Sequence, residues 1–522
     1  MPIAIESGGI SGYPYGDGLK QSNESVSVMS SFTIKRTTWV AGTLCFVIFG
    51  VLLALRIDLI GRLKPAKVLN PHDSVRTTPA NRDSWMKILQ DDRKIGFAHR
   101  IFAQTENGHE FKETVRMRIN TMGMIQDIRF KTTGRLNPDY TLASLSFDIS
   151  SGPFKFSVEG TAEGNQLKLK THSIGSARET IIELKQKPYL INSILGALHA
   201  SDLKAGDTFN YAVFDPATMG QIPVEVAIIG PETISVMDQA VEATKVSLSF
   251  RGMQQLAWID LNGDVLKEEG LLGISLEKTT PQAALDGLSI QSSRDLTKVA
   301  SVAVEMPIET PSQLRSLTIA FSGISRSGLA LEGGRQKLTG NLLTITKESL
   351  SKPGAADFRI PVDAKAFVEP TAFVQSDHPT IAAQAREIVE LHDPPAAKAE
   401  KLVQWIYENI EKRPVLSLPD ALSTLENRVG DCNEHAVLLA ALARAVGIPA
   451  KIEAGLVYLR GRFYYHAWNL LFVGEWVTAD ALFGQMPVDV THIRFTSGAQ
   501  PDQIELMSVI GKIKLRVLKQ EK

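Results

Sequence analysis

Cysteine is nearly absent from this chain, which has only Cys45 and Cys432 among its 522 residues. Cys45 lies in the most apolar segment and Cys432 lies in a polar string far from it, so a disulfide between them is not expected. Two cysteines are also too few for a zinc site built from cysteine pairs. The sequence therefore predicts a protein without structural disulfides.

An excess of either charge is also missing. The chain has 56 lysines and arginines against 57 aspartates and glutamates, which gives a formal net charge of -1. No basic stripe with interleaved aromatic residues stands out either. This balance argues against nucleic acid as a partner.

Long apolar runs are limited to residues 37–55, a segment without charged residues that is bracketed by Arg36 and Arg56. At about 1.5 Å per residue, a helix of this length spans about 28 Å, close to one hydrocarbon core. We predict that residues 37–55 form a transmembrane signal anchor and that the chain is a single-pass membrane protein. A cleaved signal peptide is the alternative, although no Ala-x-Ala cleavage pattern follows.

The residues ahead of this span, 1–36, begin with a stretch rich in glycine and serine and are predicted to be disordered, with Met29 as a second, more ordinary start. Basic residues on the two sides of the span slightly favour a cytoplasmic C-terminus. A long C-terminal part can, however, be translocated regardless of this charge bias. Because the N-terminus is short and the remainder is large, we expect the C-terminal part to be extracytoplasmic.

Composition and periodicity divide the residues after the predicted span into a linker, a large β domain and a small β segment. Residues 56–84 contain three prolines among charged residues, which is typical of a linker. Residues 85–299 alternate between apolar and polar positions, as in Glu113–Ile119, which predicts a large antiparallel β domain with one solvated face. A helix at Leu190–Leu198 is predicted to interrupt it. Residues 300–375 are predicted to be a small β segment that connects this domain to the next.

A helix is predicted to begin at Cys432. Asp431 has the features of an N-cap residue, and Glu434 follows at the spacing of a capping box. The apolar run 436–443 continues the helix toward Gly447 and indicates that it is buried. The first turn of a helix favours a thiolate and can donate to an oxyanion, so we expect the Cys432 thiol to have a depressed pKa.

A histidine and an aspartate follow on two predicted strands. His466 lies in the middle of the strand 463–473, and Asp480 ends a second strand that begins at Trp476. A two-residue turn between the strands would put Asp480 on the face away from His466, whereas a three-residue turn puts it diagonal to His466. The chemistry favours the three-residue turn, because the carboxylate can then orient the imidazole.

Several strings in the last part of the chain resemble the core of the bacterial transglutaminase-like superfamily. They are Gly430-Asp431-Cys432, Leu442 to Ala450, His466-Ala467-Trp468, Trp476 to Asp480, and the closing string Pro487 to Arg494. The resemblance spans residues 376–497 and leaves residues 498–522 as a C-terminal extension. It implies an α+β fold of the papain-like type, in which a helix that carries the cysteine packs on an antiparallel sheet.

The resemblance also implies roles for three residues. Cys432 corresponds to the nucleophile, His466 to its base and Asp480 to the carboxylate that orients the base. Many members have proline after this carboxylate, whereas Asp480 is followed by Ala481, which makes the turn less rigid. The implied chemistry is acyl transfer through a thioester on Cys432.

No cofactor and no metal are expected. His435 follows Cys432 at the Cys-x-x-His spacing, but no second pair of ligands follows, so packing near the nucleophile is the better interpretation. Asp260, Asn262 and Asp264 imitate part of a calcium loop, but the terminal glutamate of such a loop is missing. An Asn-Gly hairpin turn accounts for these three residues.

These features together predict a membrane-anchored cysteine enzyme that acts on peptide or glutamine-type amide bonds by hydrolysis or transamidation. Its partners would be a peptide or protein substrate and, through the N-terminal helix, the membrane. The alternative is a non-catalytic envelope scaffold or ligand-binding protein that retains the fold. The intact set of Cys432, His466 and Asp480 favours the enzyme.

Overall fold

The structure is a computed structural model that describes residues 81–522 with short gaps. The gaps are residues 153, 174–175, 200–202, 217–218, 251, 288–293, 327, 351–358, 416–417 and 500–508. The predicted disordered terminus, the predicted anchor at 37–55 and residues 56–80 of the predicted linker lie outside the described residues. Among the residues that are described, no helix combines the length and the apolar character needed to cross a bilayer. All described residues belong to one compact unit, Ala66–Lys522.

Fourteen strands form one antiparallel sheet. They are β1 (Asn81–Gln90), β2 (Arg93–Thr105), β3 (Gly108–Thr121), β4 (Met124–Leu136), β5 (Leu142–Ser151), β6 (Phe154–Glu163), β7 (Gln166–Ser173), β8 (Ser176–Glu183), β9 (Thr208–Asp215), β10 (Gly220–Val236), β11 (Gln239–Phe250), β12 (Met253–Ile259), β13 (Val265–Glu269) and β14 (Ile274–Thr279). Their order across the sheet is β8-β7-β6-β5-β4-β3-β2-β1-β14-β13-β12-β11-β10-β9. Most strands therefore pair with their neighbours in the chain, and the pairing of β1 with β14 joins the two halves. The large antiparallel β region predicted from alternation is confirmed.

The alternation of side chains explains why these segments are strands. In β6, Phe154, Phe156 and Val158 are buried, whereas Lys155 and Glu159 are exposed. Successive side chains of a strand point to opposite faces, so this pattern gives the sheet one packed face and one solvated face.

The first strand begins earlier than the sequence indicated. The domain was predicted to start at Trp85, and residues 81–84 were assigned to the linker. These residues are polar and show no apolar alternation, but they pair with β2 from Arg100 to Ala103. Main-chain hydrogen bonds extend β1 here, and such bonds do not depend on the side-chain pattern.

The large sheet curls so that the stretch after β8 reaches two other strands. The amide of Leu142 in β5 donates to the carbonyl of Pro188 at 2.7 Å. The next residue, Tyr189, forms a parallel bridge with Val213 of β9. These contacts join the stretch after β8 both to β5 and to β9, the strand at the other end of the sheet.

Helix α1 (Ile191–His199) follows this bridge directly and agrees with the helix predicted at 190–198. Its residues Ile194 and Leu198 are fully buried among the side chains of β9 to β12. The helix therefore covers the apolar face of the second half of the sheet.

Shorter strands and six further helices make up the rest of the described chain. The strands are β15 (Val302–Ala303), β16 (Ser316–Ser322), β17 (Gln336–Thr339), β18 (Leu342–Thr346), β19 (Glu411–Lys412), β20 (Val429–Gly430), β21 (Ala450–Leu459), β22 (Arg462–Phe472), β23 (Trp476–Ala479), β24 (Ile493–Gly498) and β25 (Lys514–Glu521). The helices are α2 (Pro281–Leu285), α3 (Leu296–Ala300), α4 (Pro379–Ile388), α5 (Pro395–Asn409), α6 (Ala421–Asn427) and α7 (Cys432–Ala445). Three short 3₁₀ turns lie at Leu271–Gly273, Pro311–Gln313 and Val362–Phe367.

The C-terminal residues are part of a sheet. Residues 498–522 were predicted to be an extension beyond the core, but β25 pairs with β16 in a four-stranded sheet of order β17-β18-β16-β25. In this pairing Ile319 lies opposite Val517. Without β25, one edge of β16 would have no partner strand in the small β segment predicted at 300–375. The last strand therefore completes this sheet.

Helix α7 packs on a second, smaller antiparallel sheet. This sheet has the order β15-β22-β21-β24, with β23 paired to the other end of β22. Every residue of α7 from Glu434 to Arg444 is buried, and α4, α5 and α6 surround it. A helix that is apolar on nearly all sides must be buried on nearly all sides, as its sequence predicted.

The large sheet packs directly against the part of the chain that leads to α7. Phe156 of β6 contacts Phe373, with ring centroids 5.8 Å apart. The side-chain amide of Gln126 in β4 donates to the carbonyl of Pro414 at 3.0 Å. The β domain therefore contacts the loop between β19 and α6, which comes before α7 in the chain.

Gly455 provides a test of the sheet beneath α7. It lies in β21 between β22 and β24, where an added Cβ would be 1.8 Å from the carbonyl oxygen of Ile493. We expect Gly455→Ala to lower the free energy of unfolding by about 2 kcal/mol or more, because the backbone of β24 would have to move. Thermal unfolding followed by circular dichroism measures this loss.

Gly270→Ala is the control for that experiment. An added Cβ there would meet its nearest neighbour, the carbonyl oxygen of Ile274, at 3.7 Å, and the backbone of Gly270 is extended. We expect a change within about 0.5 kcal/mol. Equal melting temperatures for the two variants would contradict the described approach of β21 to β24.

Candidate active site

Cys432 is the first residue of α7, as its sequence pattern predicted. Asp431 accepts a hydrogen bond from the amide of Asn433 at 2.9 Å, and Glu434 accepts one from the amide of Asp431 at 3.0 Å. The reciprocal bond, from the amide of Glu434 to the side chain of Asp431, completes the capping box. The thiol is free and partly exposed, and it packs against the apolar cluster around α7.

His466 and Asp480 form a hydrogen-bonded pair. Nε2 of His466 lies 2.6 Å from Oδ2 of Asp480, and the two side chains are only 4% and 1% exposed. The turn before Asp480 explains their approach, because Phe472 pairs with Trp476 and leaves residues 473–475 as the turn. The three-residue register predicted from the sequence is confirmed.

The start of α7 lies against the strand that carries His466. The side-chain amide of Asn469 in β22 donates to the carbonyl of Ala436 in α7 at 2.9 Å. Cys432 itself hydrogen-bonds with the backbone of Ala467, the residue next to His466. The structure thus places the predicted nucleophile beside the pair formed by the predicted base and carboxylate.

Four donors converge on the carboxylate of Asp480. Oδ2 accepts from His466 and, at 3.0 Å, from Nε2 of His492, while Oδ1 accepts from the amides of Leu482 at 2.8 Å and Phe483 at 3.2 Å. Burial favours the neutral acid, but the charges and hydrogen bonds of the two histidines outweigh it and hold the pKa of Asp480 well below its usual range. An ionised carboxylate only accepts, so Nε2 of His466 carries a proton and Nδ1 remains as the base.

Aromatic rings restrict the imidazole of His466. The ring of Phe483 stacks on it with centroids 5.0 Å apart and an interplanar angle of 21°. Trp468 stacks at 6.1 Å on the same face of β22. Together with the bond to Asp480, these contacts leave the base little freedom to rotate.

The surroundings of Cys432 raise the pKa of its thiol well above the ordinary value. Burial is the largest cause and the negative charge of Asp431 is the next, while the hydrogen bond with the backbone of Ala467 opposes them. The sequence predicted a depressed pKa from the helix start and the imidazole, and that prediction is wrong. A thiolate therefore requires His466 to take up the proton, because the imidazolium then supplies the compensating charge.

One group among the described residues has the composition of a metal site. His466, Asp480 and His492 are all buried, and their ligand atoms lie within 4.8 Å of one another. Hydrogen bonds of 2.6 and 3.0 Å between the carboxylate and the two imidazoles already satisfy these atoms. The geometry is therefore explained without an ion, and the expectation that the protein binds no metal stays a prediction.

Residues 382–481 match the transglutaminase-like superfamily. The match begins in α4 and ends one residue past Asp480, so it contains Cys432 and His466 as well. Residues 382–481 are thus similar to a transglutaminase-like domain, and the large antiparallel β region precedes them. No curated protein matches the chain.

Three solved structures resemble parts of the chain. A candidate cysteine protease from Cytophaga hutchinsonii is 16% identical over 38% of this chain and 83% of its own, with a TM-score of 0.26. A β-barrel-like protein of a domain family of unknown function from Brucella abortus is 10% identical over 39% and 99%, with a TM-score of 0.31. The periplasmic domain of TgpA from Pseudomonas aeruginosa, bound to ethylmercury, is 17% identical over 35% and 89%, with a TM-score of 0.24. Likenesses this distant carry no information about the activity of this chain.

A further histidine, which the sequence did not predict, lies at the site just beyond the matched residues. His492 lies directly before β24, within the string 487–494 that resembled only the closing strand of the family. A single histidine before a strand has no periodicity that marks it, so its position in this string was the one available signal. His435, by contrast, is buried as expected, and its Nδ1 lies 2.7 Å from the carbonyl oxygen of Asp431.

Asp431→Asn tests the electrostatic influence on the thiol. Asparagine still caps the helix, but the charge that raises the thiol pKa is gone. We expect the pKa of Cys432 to fall, so that alkylation by iodoacetamide at pH 7.5 becomes about three- to tenfold faster. The rate is measured from the mass of the peptide that contains Cys432.

Asp420→Asn is the matched control, because Asp420 is the N-cap residue of the neighbouring helix α6. This variant should alkylate at the parental rate. Slower alkylation of the Asp431→Asn variant would mean that the cap of α7, and not the carboxylate charge, controls the thiol.

Proposed function

We propose that the protein is a membrane-anchored cysteine enzyme that transfers acyl groups from peptide or glutamine-type amides through a thioester on Cys432. The observation that carries this proposal is the 2.6 Å hydrogen bond between His466 and Asp480 beside the first turn of α7. It fixes the tautomer of the imidazole and leaves its Nδ1 free to accept a proton. The match of residues 382–481 to the transglutaminase-like superfamily supports the same chemistry.

In the proposed reaction, Sγ of Cys432 attacks the carbonyl carbon of the amide while its proton passes to Nδ1 of His466. The carbon–nitrogen bond then breaks, and the imidazolium gives this proton to the leaving amine. A thioester remains on Cys432. Water or a second amine attacks it through the same base, which yields an acid or a new amide and restores the thiol.

The raised pKa of the thiol shapes this reaction. Because burial and Asp431 disfavour a free thiolate, sulfur becomes nucleophilic only as its proton moves to His466. Asp480 stays ionised and stabilises the imidazolium that forms. Partial positive charge at the start of α7 favours both the thiolate and the oxyanion of the tetrahedral intermediate.

A second candidate is an envelope scaffold or ligand-binding protein that retains the fold without turnover. The environment that raises the pKa of Cys432 favours this candidate, since a thiol that stays neutral does not react. The two functions differ in one observable. In an enzyme, an electrophilic substrate mimic forms an adduct on Cys432 that depends on His466, whereas in a scaffold no such adduct forms.

For the location, we propose a single-pass membrane protein whose transglutaminase-like domain lies outside the cytoplasm. The support is the uncharged segment 37–55, which has the length of one bilayer crossing. The proposed substrates are peptides or proteins on that side of the membrane.

Labelling with a peptide that carries an electrophilic glutamine mimic tests the function. We expect a covalent adduct on Cys432, and we expect Cys432→Ala to lose the adduct and to lower any acyl-transfer rate at least about a thousandfold. His466→Ala should lower the acyl-transfer rate by a similar factor. Asp480→Asn should lower it less, because a misoriented imidazole is less harmful than a missing one. The modified residue is identified by peptide mass mapping.

Cys45→Ala is the matched control, since it removes the other cysteine of the chain. The Cys45→Ala variant should form the adduct at the parental rate. The melting temperature of Cys432→Ala should lie within a few degrees of the parental value, because alanine nearly conserves the volume of the cysteine side chain. Acyl transfer by the Cys432→Ala variant within tenfold of the parent would refute the assignment.

The anchor proposal predicts how the full chain behaves in membranes. We expect it to sediment with membranes and to resist extraction at alkaline pH in carbonate, because residues 37–55 remain in the bilayer. A chain that starts at Asn81, where β1 begins, should stay in the supernatant. Recovery of a mature N-terminus between residues 55 and 70 would instead show a cleaved signal peptide.

A further inference from the structure

The carboxylate of Asp480 is shared by two histidines, and the proposed reaction uses only one of them. Oδ2 lies 2.6 Å from Nε2 of His466 and 3.0 Å from Nε2 of His492. The side chain of His492 has no exposed surface, and its ring centroid lies 5.7 Å from that of His466. A titratable group so close to the proposed base must affect its charge.

The other ring nitrogen of His492 faces a second carboxylate. Nδ1 lies 3.4 Å from Oδ1 of Asp489, which is an ion-pair distance and not a well-formed hydrogen bond. That oxygen is held in place by the amide of Thr491 at 2.8 Å and its hydroxyl at 2.6 Å. A neutral ring would direct a lone pair at one of the two carboxylates, whereas an imidazolium presents a proton to each.

The electrostatics agree with this geometry. Burial lowers the pKa of His492, but the hydrogen bonds and charges of Asp480 and Asp489 outweigh burial and raise it overall. Asp489 responds in the complementary direction, since His492 holds the pKa of that carboxyl below its usual range.

Arg335 is a cation from another part of the chain, and it is bound to the main chain around His492. Its Nη2 donates to the carbonyls of Asp489 at 2.5 Å and His492 at 3.0 Å. Its Nη1 lies 3.9 Å from Glu348. Arg335 therefore holds the backbone at Asp489 and at His492 itself, and it has its own carboxylate partner.

Trp468 and Phe483 also pack against the ring of His492, with centroids 5.2 and 6.1 Å from its own. The indole donates to Glu453 at 2.9 Å, and Glu453 pairs with Arg494 at 3.4 Å. These two charges offset one another behind the indole. The charged or titratable groups that face His492 directly are thus the two aspartates and the other histidine.

We propose that His492 is a positioning residue that fixes the carboxylate of Asp480 and, as an imidazolium, limits how strongly that carboxylate stabilises a protonated His466. This inference rests on the proposed function, because it requires His466 to act as the base for Cys432. The second histidine thereby helps to set the pH range in which the thiol reacts.

The sign of the effect follows from Coulomb's law. A positive charge at His492 favours loss of a proton from Cys432, so its removal raises the pKa of the thiol. For charges separated by about 6 Å in a protein site, the shift is on the order of one pH unit. A purely structural role would change stability and leave the pH dependence of the thiol where it is.

The experiment measures alkylation of Cys432 by iodoacetamide from pH 5 to 10 in the full chain. His492→Gln keeps a donor for Asp480 and removes the charge, so the midpoint of the profile should move up by about one unit with the maximal rate within about twofold. His492→Phe removes the donor as well, so the same shift should be joined by a fall in the maximal rate. His392→Gln, at an exposed histidine between α4 and α5, should follow the parent.

A second measurement uses the parent alone and does not depend on how the variants fold. Hydrogen–deuterium exchange at histidine C2, read by mass spectrometry, reports the titration of each histidine. We expect the midpoint for His492 to lie above the value of about 6.5 for an unperturbed imidazole. A midpoint at or below that value would overturn the proposal.

The outcomes separate this proposal from the proposed function. If His466→Ala shifts the parental alkylation profile but the Gln and Phe variants of His492 match the parent, the role of His492 is refuted and acyl transfer stands. If His466→Ala leaves the parental profile unchanged, Cys432 and His466 are not paired, and both proposals fail.

Discussion

The register between β22 and β23 is the constraint on which the candidate site depends. Three residues, 473–475, form the turn, so Asp480 arrives at the end of β23 diagonal to His466. The side-chain period of a strand is two, so a slip by one residue would send the carboxylate to the opposite face of the sheet. The 2.6 Å bond, the tautomer of His466 and the availability of its Nδ1 all follow from this register.

The buried charge of Asp480 ties the other parts of the site together. An ionised carboxylate that is only 1% exposed is stable in a protein only when hydrogen-bond donors reach its oxygens. Four donors reach the oxygens of Asp480. Two come from histidines on β22 and before β24, and two come from the turn that follows β23. Cys432 reaches this group because α7 is buried against β22, and the large sheet contacts the loop between β19 and α6.

The sequence predicted the local features well, and the reason is physical. Capping residues and apolar periodicity act between neighbours in the chain, so they revealed the start of α7 and the alternation of β6. Local geometry left two turn lengths open before Asp480, and the approach of Asp480 to His466 was predicted only because the chemistry favours the three-residue turn. Features that depend on distant residues were missed. The pairing of β25 with β16, the proximity of His492 to Asp480 and the burial that raises the pKa of Cys432 arise only when the chain is folded.

The central claim is that Cys432 and His466 act as one unit that accepts an acyl group. Its most direct test is an acid quench of the full chain during reaction with p-nitrophenyl acetate, followed by mass mapping of the acetylated peptide. The account predicts a hydroxylamine-sensitive acetyl group on Cys432 in the parent, at least about a hundredfold slower to form in His466→Ala. Acetylation elsewhere, or equal rates in the two proteins, would contradict it.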